Sequence, residues 1–270
     1  MSNKHILQYF VKNSKTFQII DGPININNTE NEVLLVLDSS FNPAHWGHYT
    51  LINKAVDYYR DILPQDTRFH VLLLLAIKNA DKAPKPAMFP ERMDMMCILA
   101  NFIRKTLEDV NVSVGITSHG KFVDKDKDVK ELFFTAFKNC RIAYLVGFDT
   151  IIRIMDAKYY VPTPLSVALQ EFMQHAEFFC LTRDDDNNDI KKQINYSSDI
   201  TEGRYEPAIP RNWGSKIHSV LNDNKYSYIS SSIVRKQFSD GKRNLLNEVP
   251  EPILQYLVNE SDTNGKSIFL

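Results

Sequence analysis

Buried-strand patterns that alternate with helical patterns constrain the fold of this chain more than any other sequence feature. The segments Val33–Ser40 and Phe69–Ile77 carry runs of large aliphatic residues, as strands buried on both faces of a parallel sheet do. A helical pattern lies between them, and the same alternation recurs along the chain. Further strands are predicted at Asn111–Thr117, Arg141–Gly147, Ala176–Thr182 and Lys216–Leu221. This order predicts βαβ units, and therefore an α/β fold with an open parallel sheet and helices on both faces.

The domain organisation follows from where this alternation starts and stops. One domain is expected to span residues 33–260, preceded by an extension at 1–32 with a peripheral helix and a loop, and followed by a tail at 261–270. Two polar stretches, 117–128 and 183–213, are expected to be surface insertions, because long polar segments between strands and helices usually run over the surface. The second insertion is also expected to be mobile.

Charge and composition exclude several classes of protein. The 270 residues include 32 Lys and Arg against 33 Asp and Glu, which is not the basic excess of a duplex-DNA binder. The longest apolar run, Val71–Ile77, is far shorter than the about 20 residues that cross a bilayer, and the first residues are too polar for a signal peptide. These features predict a cytoplasmic protein, with the nucleus as the alternative location, and neither a nucleic-acid nor a membrane partner.

The segment SSFNPAHWGH, Ser39–His48, directly follows the first predicted strand. Ligands of open parallel sheets bind beyond the carboxyl ends of the strands, so a site is expected here. His45 and His48 share a face of the first helical turn, and Gly47 lets a ligand approach the backbone. Two imidazoles beside a helix N-terminus favour a polyphosphate ligand. The alternatives are helix capping by the serines and Asn42, or a His-x-x-His metal pair, for which no third ligand is evident.

Two later segments extend the nucleotide-site hypothesis. In ISSSIVR, Ile229–Arg235, serines at a predicted helix start supply caps and open backbone N–H groups. Arg235 lies one turn after Ser231 on the same face, where its guanidinium can bind two phosphate oxygens. In LVGFD, Gly147 permits a close backbone approach at a strand end, and Asp149 can accept a hydrogen bond from a ribose or an amide. Alone, the first segment is explained better by simple helix capping, and the second is explained equally well by an ordinary turn with Asp149 as N-cap.

Together these segments resemble the nucleotidyltransferase superfamily with the (H/T)xGH signature, and within it the nicotinamide mononucleotide (NMN) adenylyltransferases, especially their divergent fungal members. The family has G-S-F-N-P-x-H-x-G-H after its first strand, G-x-D after its fourth and I-S-S-T-x-(I/V)-R near its end. Here these read SSFNPAHWGH, GFD and ISSSIVR. The family's R-x-x-M-x-x-x-A helix is matched loosely from Glu91 to Ala100, and its lysine-bearing loop by KNADKAPK. The resemblance implies a Rossmann-like HxGH nucleotidyltransferase fold.

The resemblance also implies an activity, transfer of AMP from ATP to NMN with release of pyrophosphate, and a Mg²⁺ ion held mainly by the ATP phosphates. It implies that His48 and His45 contact the phosphates as pyrophosphate leaves. Arg235, Ser231 and Ser232 are expected to hold the β- and γ-phosphates. The other nucleotide contacts are expected from Ser39, Ser40, Phe41, Lys82, Gly147 and Asp149.

The chain departs from the family pattern at three places. Ser39 replaces the first motif glycine, and Ser232 replaces a threonine while keeping its hydroxyl. The tryptophan that family members place after the third strand, against the pyridine ring, is missing, and Phe122 is the expected substitute. Three alternatives therefore stay open: a sister enzyme with another phosphorylated acceptor, a nucleotide hydrolase, and an ATP-binding regulator without turnover.

Overall fold

The computed structural model describes residues 2–23, 31–77, 89–134, 140–183, 189–222, 225–264 and 269, with side chains for all of them except 134, 140 and 262–264. Lys82 lies outside the described residues. Along the described part of the chain the strands are β1 (Phe17–Asp21), β2 (Glu32–Asp38), β3 (Arg68–Ala76), β4 (Val110–Thr117), β5 (Cys140–Gly147), β6 (Ala176–Leu181) and β7 (Ile217–Val220).

Helices follow most of the strands, as the alternation predicts. They are α1 (Asn3–Lys12), α2 (Trp46–Ile62), α3 (Phe89–Thr106), α4 (Phe122–Phe134), α5 (Phe148–Ile154), α6 (Leu165–Ala168), α7 (Gln170–His175), α8 (Ile190–Thr201), α9 (Ser231–Ser239) and α10 (Glu251–Asn264). Short 3₁₀ helices lie at Ala157–Tyr159 and Arg211–Lys216. Within the described residues, no helix is both long enough and apolar enough to span a bilayer.

The described strands form one sheet in the order β1-β4-β3-β2-β5-β6-β7. All neighbours run parallel except β1, which pairs antiparallel with β4 at the edge. The chain builds outward from β2 through β3 to β4, and then returns to place β5, β6 and β7 on the other side of β2. The direction of winding therefore reverses between β2 and β5, which is the position where open α/β sheets bind ligands.

Successive residues of the central strand β2 point into two separate cores. Val33, Leu35 and Leu37 pack with α1, α2, α3, α9 and α10 on one face, called here the first face. Leu34 and Val36 pack with α4 to α8 on the other, the second face. This arrangement explains the uninterrupted apolar run of β2, and it confirms the predicted α/β fold with helices on both faces.

The expected boundary at residue 33 is wrong, because the sheet begins earlier. β1 pairs with β4, and Phe10 of α1 is buried in the first core. Ser113 Oγ also donates to the carbonyl oxygen of Pro23 at 2.6 Å. Part of the expected extension is therefore an edge strand of the domain. At the other end, α10 continues past residue 260 to Asn264, so the expected tail begins later than predicted.

The two expected insertions are also largely structured. Within 183–213, α8 is capped by Asp189 and buries Tyr196, and Trp213 is buried beside it; residues 184–188 lie outside the described part. Within 117–128, α4 already begins at Phe122. Its charged sequence looks like a surface loop, but Lys125 and Asp126 are buried because each has a polar partner inside the fold.

Candidate active site

A cavity of about 1040 Å³ opens where the winding reverses, at the carboxyl ends of β2 and β5. Its volume slightly exceeds the usual range of small-molecule sites, about 300–1,000 Å³, which leaves room for two small ligands. Most of the residues expected from the sequence line it, namely Ser39, Ser40, His45, His48, Gly147, Asp149, Ser231, Ser232 and Arg235. Phe41 does not: its side chain is fully buried and its backbone has φ 44°.

The two histidines are held in fixed orientations at the N-terminus of α2. The backbone N–H of His45 donates to Nδ1 of His48 at 3.1 Å, so the neutral His48 ring carries its proton on Nε2, 2.9 Å from Ser39 Oγ. The backbone N–H of Gly47 donates to Nδ1 of His45 at 3.1 Å. Both rings therefore cap the helix, a role that the simpler alternative gave to the serines and Asn42, and both still line the cavity. The buried Phe41 ring packs against the His48 ring, with 5.0 Å between their centroids.

Both imidazoles are neutral at physiological pH. Burial lowers the pKa of His48 to about 3. The pKa of His45 is lowered well below its usual value by burial first, and then by the nearby His48 and Arg183. His48 therefore acts as a hydrogen-bond donor through Nε2–H, and neither ring is a charged group or a reservoir of protons at neutral pH.

The N-terminus of α9 docks directly onto the turn that follows β2. Ser231 Oγ donates to the carbonyl oxygen of Pro43 at 3.0 Å, and Arg235 Nη1 donates to that of Asn42 at 2.6 Å. Ser230 caps the helix by accepting from the backbone N–H of Ile233 at 3.3 Å. The two sequence motifs are thus joined in space, and the N-termini of α2 and α9 face one cavity.

Arg92 on α3 also lines this part of the cavity, although no role was predicted for it. Its guanidinium packs on the ring of Phe89 at 4.9 Å, and its buried Nε has no hydrogen-bond partner among the described residues. Its pKa is lowered by burial and then by the neighbouring charge of Arg235. Two close guanidinium groups of like charge form a site for an anion. The signal that could have found Arg92 is its place in the Glu91–Ala100 helix motif.

A different set of side chains, from the second face, lines the other half of the cavity. Gly147 is the N-cap of α5, and a Cβ there would stand 2.8 Å from Asp149 Oδ1. Asp149 Oδ2 lies 3.4 Å from Arg153 Nη2, and Asp149 Oδ1 lies 3.8 Å from Arg183 Nη1. The Tyr160 hydroxyl donates to the carbonyl oxygen of Ile154 at 3.0 Å, which fixes an aromatic ring on the cavity wall.

Phe122, the expected substitute for the missing tryptophan, also lines this half of the cavity. Its ring meets the ring of Tyr144 edge-on at 5.5 Å, and Lys125 Nζ lies 5.0 Å from its centroid. The Phe122 ring therefore already contacts the core and the ammonium group of Lys125. Tyr160 offers a second aromatic ring, which sequence reasoning missed because a Tyr-Tyr pair in a polar connection has no distinctive pattern.

Comparisons with known proteins identify relatives of this chain and of its fold. No protein-family model matches the chain. It is 33% identical over 226 residues to the "Putative nicotinamide mononucleotide adenylyltransferase" of Schizosaccharomyces pombe, a match that covers 83% of each chain. Its fold is similar to that of Plasmodium falciparum nicotinic acid mononucleotide adenylyltransferase complexed with NaAD, with a TM-score of 0.55 and 15% identity over 86% of this chain and 97% of that one.

A second structure of the Plasmodium falciparum enzyme, complexed with APC, gives a TM-score of 0.52 with 14% identity over 85% of this chain and 96% of that one. These two structures show the shared fold, and the fungal relative shows the family. This chain belongs to the nicotinamide mononucleotide adenylyltransferase family, and it is an adenylyltransferase of NAD synthesis.

Proposed function

We propose that this protein transfers AMP from ATP to NMN, forming NAD⁺ and releasing pyrophosphate. The observation that supports this most is the convergence of two helix N-termini, the His48 donor and two guanidinium groups on one cavity at the reversal point. Such an arrangement binds the triphosphate of a nucleotide. The second half of the cavity, with Asp149 and Tyr160, has room for a second nucleotide.

The reaction needs no protein base and no covalent intermediate. Its nucleophile is a phosphate oxygen of the acceptor, which is already anionic near neutral pH. The low pKa of His48 is consistent with this, because an imidazole with so low a pKa is a weak base and acts here as a hydrogen-bond donor. Catalysis then consists of holding the two phosphates in line and stabilising the charge that develops on the leaving pyrophosphate.

Each group of side chains has a distinct part in this scheme. The Nε2–H of His48 donates to a phosphate oxygen in place of Ser39 Oγ, with His45 beside it. Arg235 and the serines at 231 and 232 hold the β- and γ-phosphates, and Arg92 adds a second guanidinium to them. The backbone from Ser39 to Phe41 contacts the nucleotides, Lys82 adds positive charge, and Gly147 and Asp149 contact the ribose of the acceptor.

Magnesium is proposed to arrive with ATP. Among the described residues, no group of three or more His, Cys, Asp or Glu side chains is placed to hold a metal ion. A Mg²⁺ ion that keeps its waters and binds phosphate oxygens needs no such group. When bound, it would neutralise part of the charge on the phosphates.

The identity of the acceptor separates this proposal from its closest rival. The Schizosaccharomyces pombe relative is named for nicotinamide mononucleotide, and the Plasmodium falciparum enzyme for nicotinic acid mononucleotide (NaMN). We propose NMN for this chain because the relative that shares the higher sequence identity carries that name.

The test is to incubate purified protein with Mg-ATP, with and without NMN, and to measure NAD⁺ and pyrophosphate in parallel. We expect equal amounts of both products, and only when NMN is present. Pyrophosphate or phosphate released without an acceptor would indicate a hydrolase. ATP binding without either product would indicate a regulator or a sister enzyme with another phosphorylated acceptor, and either result would refute the proposed function.

A further inference from the structure

A buried ion pair lies on the cavity wall, and the proposed phosphate chemistry does not use it. Lys125 Nζ of α4 contacts Oδ2 of Asp38, the last residue of β2, and their side chains are 4% and 10% exposed. Both residues line the cavity. Removing two charges from water is costly even when they pair, so a role in ligand binding would account for their position.

The pair belongs to the half of the cavity that contains Gly147 and Asp149, which the proposed function assigns to the acceptor and which is called here the acceptor half. Asp38 continues the alternation of Leu34 and Val36, which point toward the second face, and Lys125 comes from α4 on that face. Gly147 and Asp149 line the same half, at the end of the neighbouring strand β5. The phosphate-binding helices α2, α3 and α9 pack on the first face instead.

The pair presents both kinds of hydrogen-bonding group to the cavity. Oδ1 of Asp38 and two N–H groups of Lys125 have no hydrogen-bond partner among the described residues. The ammonium is held from behind by the ring of Phe122, with 5.0 Å between Nζ and the ring centroid. That ring is itself fixed by Tyr144. The cavity wall therefore presents one oriented hydrogen-bond acceptor, from Asp38, beside one oriented hydrogen-bond donor, from Lys125.

We propose that Asp38 and Lys125 read the substituent on the pyridine ring of the acceptor and select the carboxamide of NMN over the carboxylate of NaMN. The inference rests on the proposed function and deepens it. A carboxamide has an N–H₂ group to donate to Asp38 and an oxygen to accept from Lys125. A carboxylate can only accept, and it places a negative charge against Asp38. The pair thus combines an attractive contact to one acceptor with a repulsive contact to the other.

The test is the ratio of kcat/KM for NaMN to kcat/KM for NMN, measured in the wild-type protein and in Asp38→Asn and Lys125→Met. We expect the wild-type protein to prefer NMN. Asp38→Asn removes the repulsion and leaves the ammonium, so the ratio should rise about tenfold or more, the equivalent of about 1.4 kcal/mol. Lys125→Met removes the ammonium and keeps the Asp38 carboxylate, which repels the carboxylate of NaMN. The ratio should therefore fall below the wild-type value.

The opposite signs of these two changes distinguish recognition from a structural role. A pair that only stabilised the fold would slow both acceptors equally, and the ratio would not move in either variant; that result would overturn the inference. Because each ratio compares two acceptors in one preparation, a partly unfolded fraction cancels. If a single variant fails to fold, the double variant Asp38→Leu/Lys125→Met removes both charges together, and its preference for NMN should be lost.

The control is Lys130→Met, on the same helix but in a surface pair with Glu171 at 3.2 Å. Its ratio should equal the wild-type ratio, and a shift as large as that of Asp38→Asn would contradict the inference. Wild-type protein that uses NMN but prefers NaMN would overturn the inference alone. Protein that joins AMP to neither acceptor would overturn the proposed function and the inference with it.

Discussion

Arg92 should contribute to activity at the expense of stability, and Arg92→Met tests this directly. Its buried Nε has no hydrogen-bond partner in the described part of the chain, and its charge lies close to that of Arg235. Both features are unfavourable until an anion binds between the two guanidinium groups. Methionine keeps an unbranched apolar side chain at this position and removes the guanidinium that packs on Phe89.

The expected size of the effect follows from these contacts. A buried donor without a partner costs about 1–3 kcal/mol, and Arg92 is only partly buried. Arg92→Met should therefore raise the free energy of unfolding of the ligand-free protein by about 1 kcal/mol, the lower end of that range. A hydrogen bond to a charged group contributes about 1.5–3 kcal/mol. Its loss should lower kcat/KM for ATP by about 10- to 150-fold.

The assay pairs urea unfolding of ligand-free protein with steady-state kinetics in ATP at a fixed, saturating acceptor concentration. Arg104→Met is the matched control, because Arg104 lies on the same helix outside the cavity and donates to Asp21 Oδ2 and to the Val112 carbonyl, both at 2.7 Å. The control should lose stability and keep its ATP kinetics. If Arg92→Met behaves like this control, Arg92 is a structural residue and the reasoning is refuted.

Three further predictions concern the histidines and the acceptor side. His48→Ala should lower turnover by about 10²–10³-fold while unfolding stays cooperative; near-normal turnover would remove His48 from the mechanism. Burial lowers the pKa of His48 to about 3 and of His70 to about 4, and lowers that of His45 as well. The unfolded chain therefore binds more protons below the usual histidine pKa of about 6.5, and stability should fall as pH drops from there toward 4, by up to about 1.4 kcal/mol per pH unit for each histidine. Urea unfolding from pH 4.5 to 7.5 measures this, and in His48→Gln the slope should be smaller; an equal slope would contradict burial of a neutral His48. Gly147→Ala places a Cβ 2.8 Å from Asp149 Oδ1, so KM for the acceptor should rise more than KM for ATP, and equal changes would argue against an acceptor site there.

Elements with one dominant physical signal could be predicted from the sequence. The apolar run of β2 predicts a strand buried on both faces. The prediction succeeds because helices cover both faces of the sheet at β2. The histidines at 45 and 48 could be placed together because three-residue spacing returns to one helix face. The contact between Ser231 and the Pro43 carbonyl spans 188 residues, and only the family resemblance linked those segments in advance.

Features that depend on buried polar pairs could not be predicted. The sequence around α4 predicts a solvated segment because Lys125 and Asp126 are charged. In the fold, Asp38 pairs with Lys125, and Tyr144 and His175 hydrogen-bond to Asp126. The edge strand β1 was missed because it is short and only half-buried. In such segments the partner that makes burial favourable is distant in the chain, and hydropathy does not show it.

The central claim, direct transfer of AMP between two nucleotides in one cavity, is tested most directly by the stereochemistry at the α-phosphorus. The substrate is one diastereomer of ATP with sulfur on that phosphorus, supplied with Mg²⁺ and NMN. A single in-line displacement predicts a dinucleotide phosphorothioate of inverted configuration. Retained configuration would show two displacements through a covalent intermediate, and would contradict the account of His48, Arg92 and Arg235 as groups that only position and stabilise.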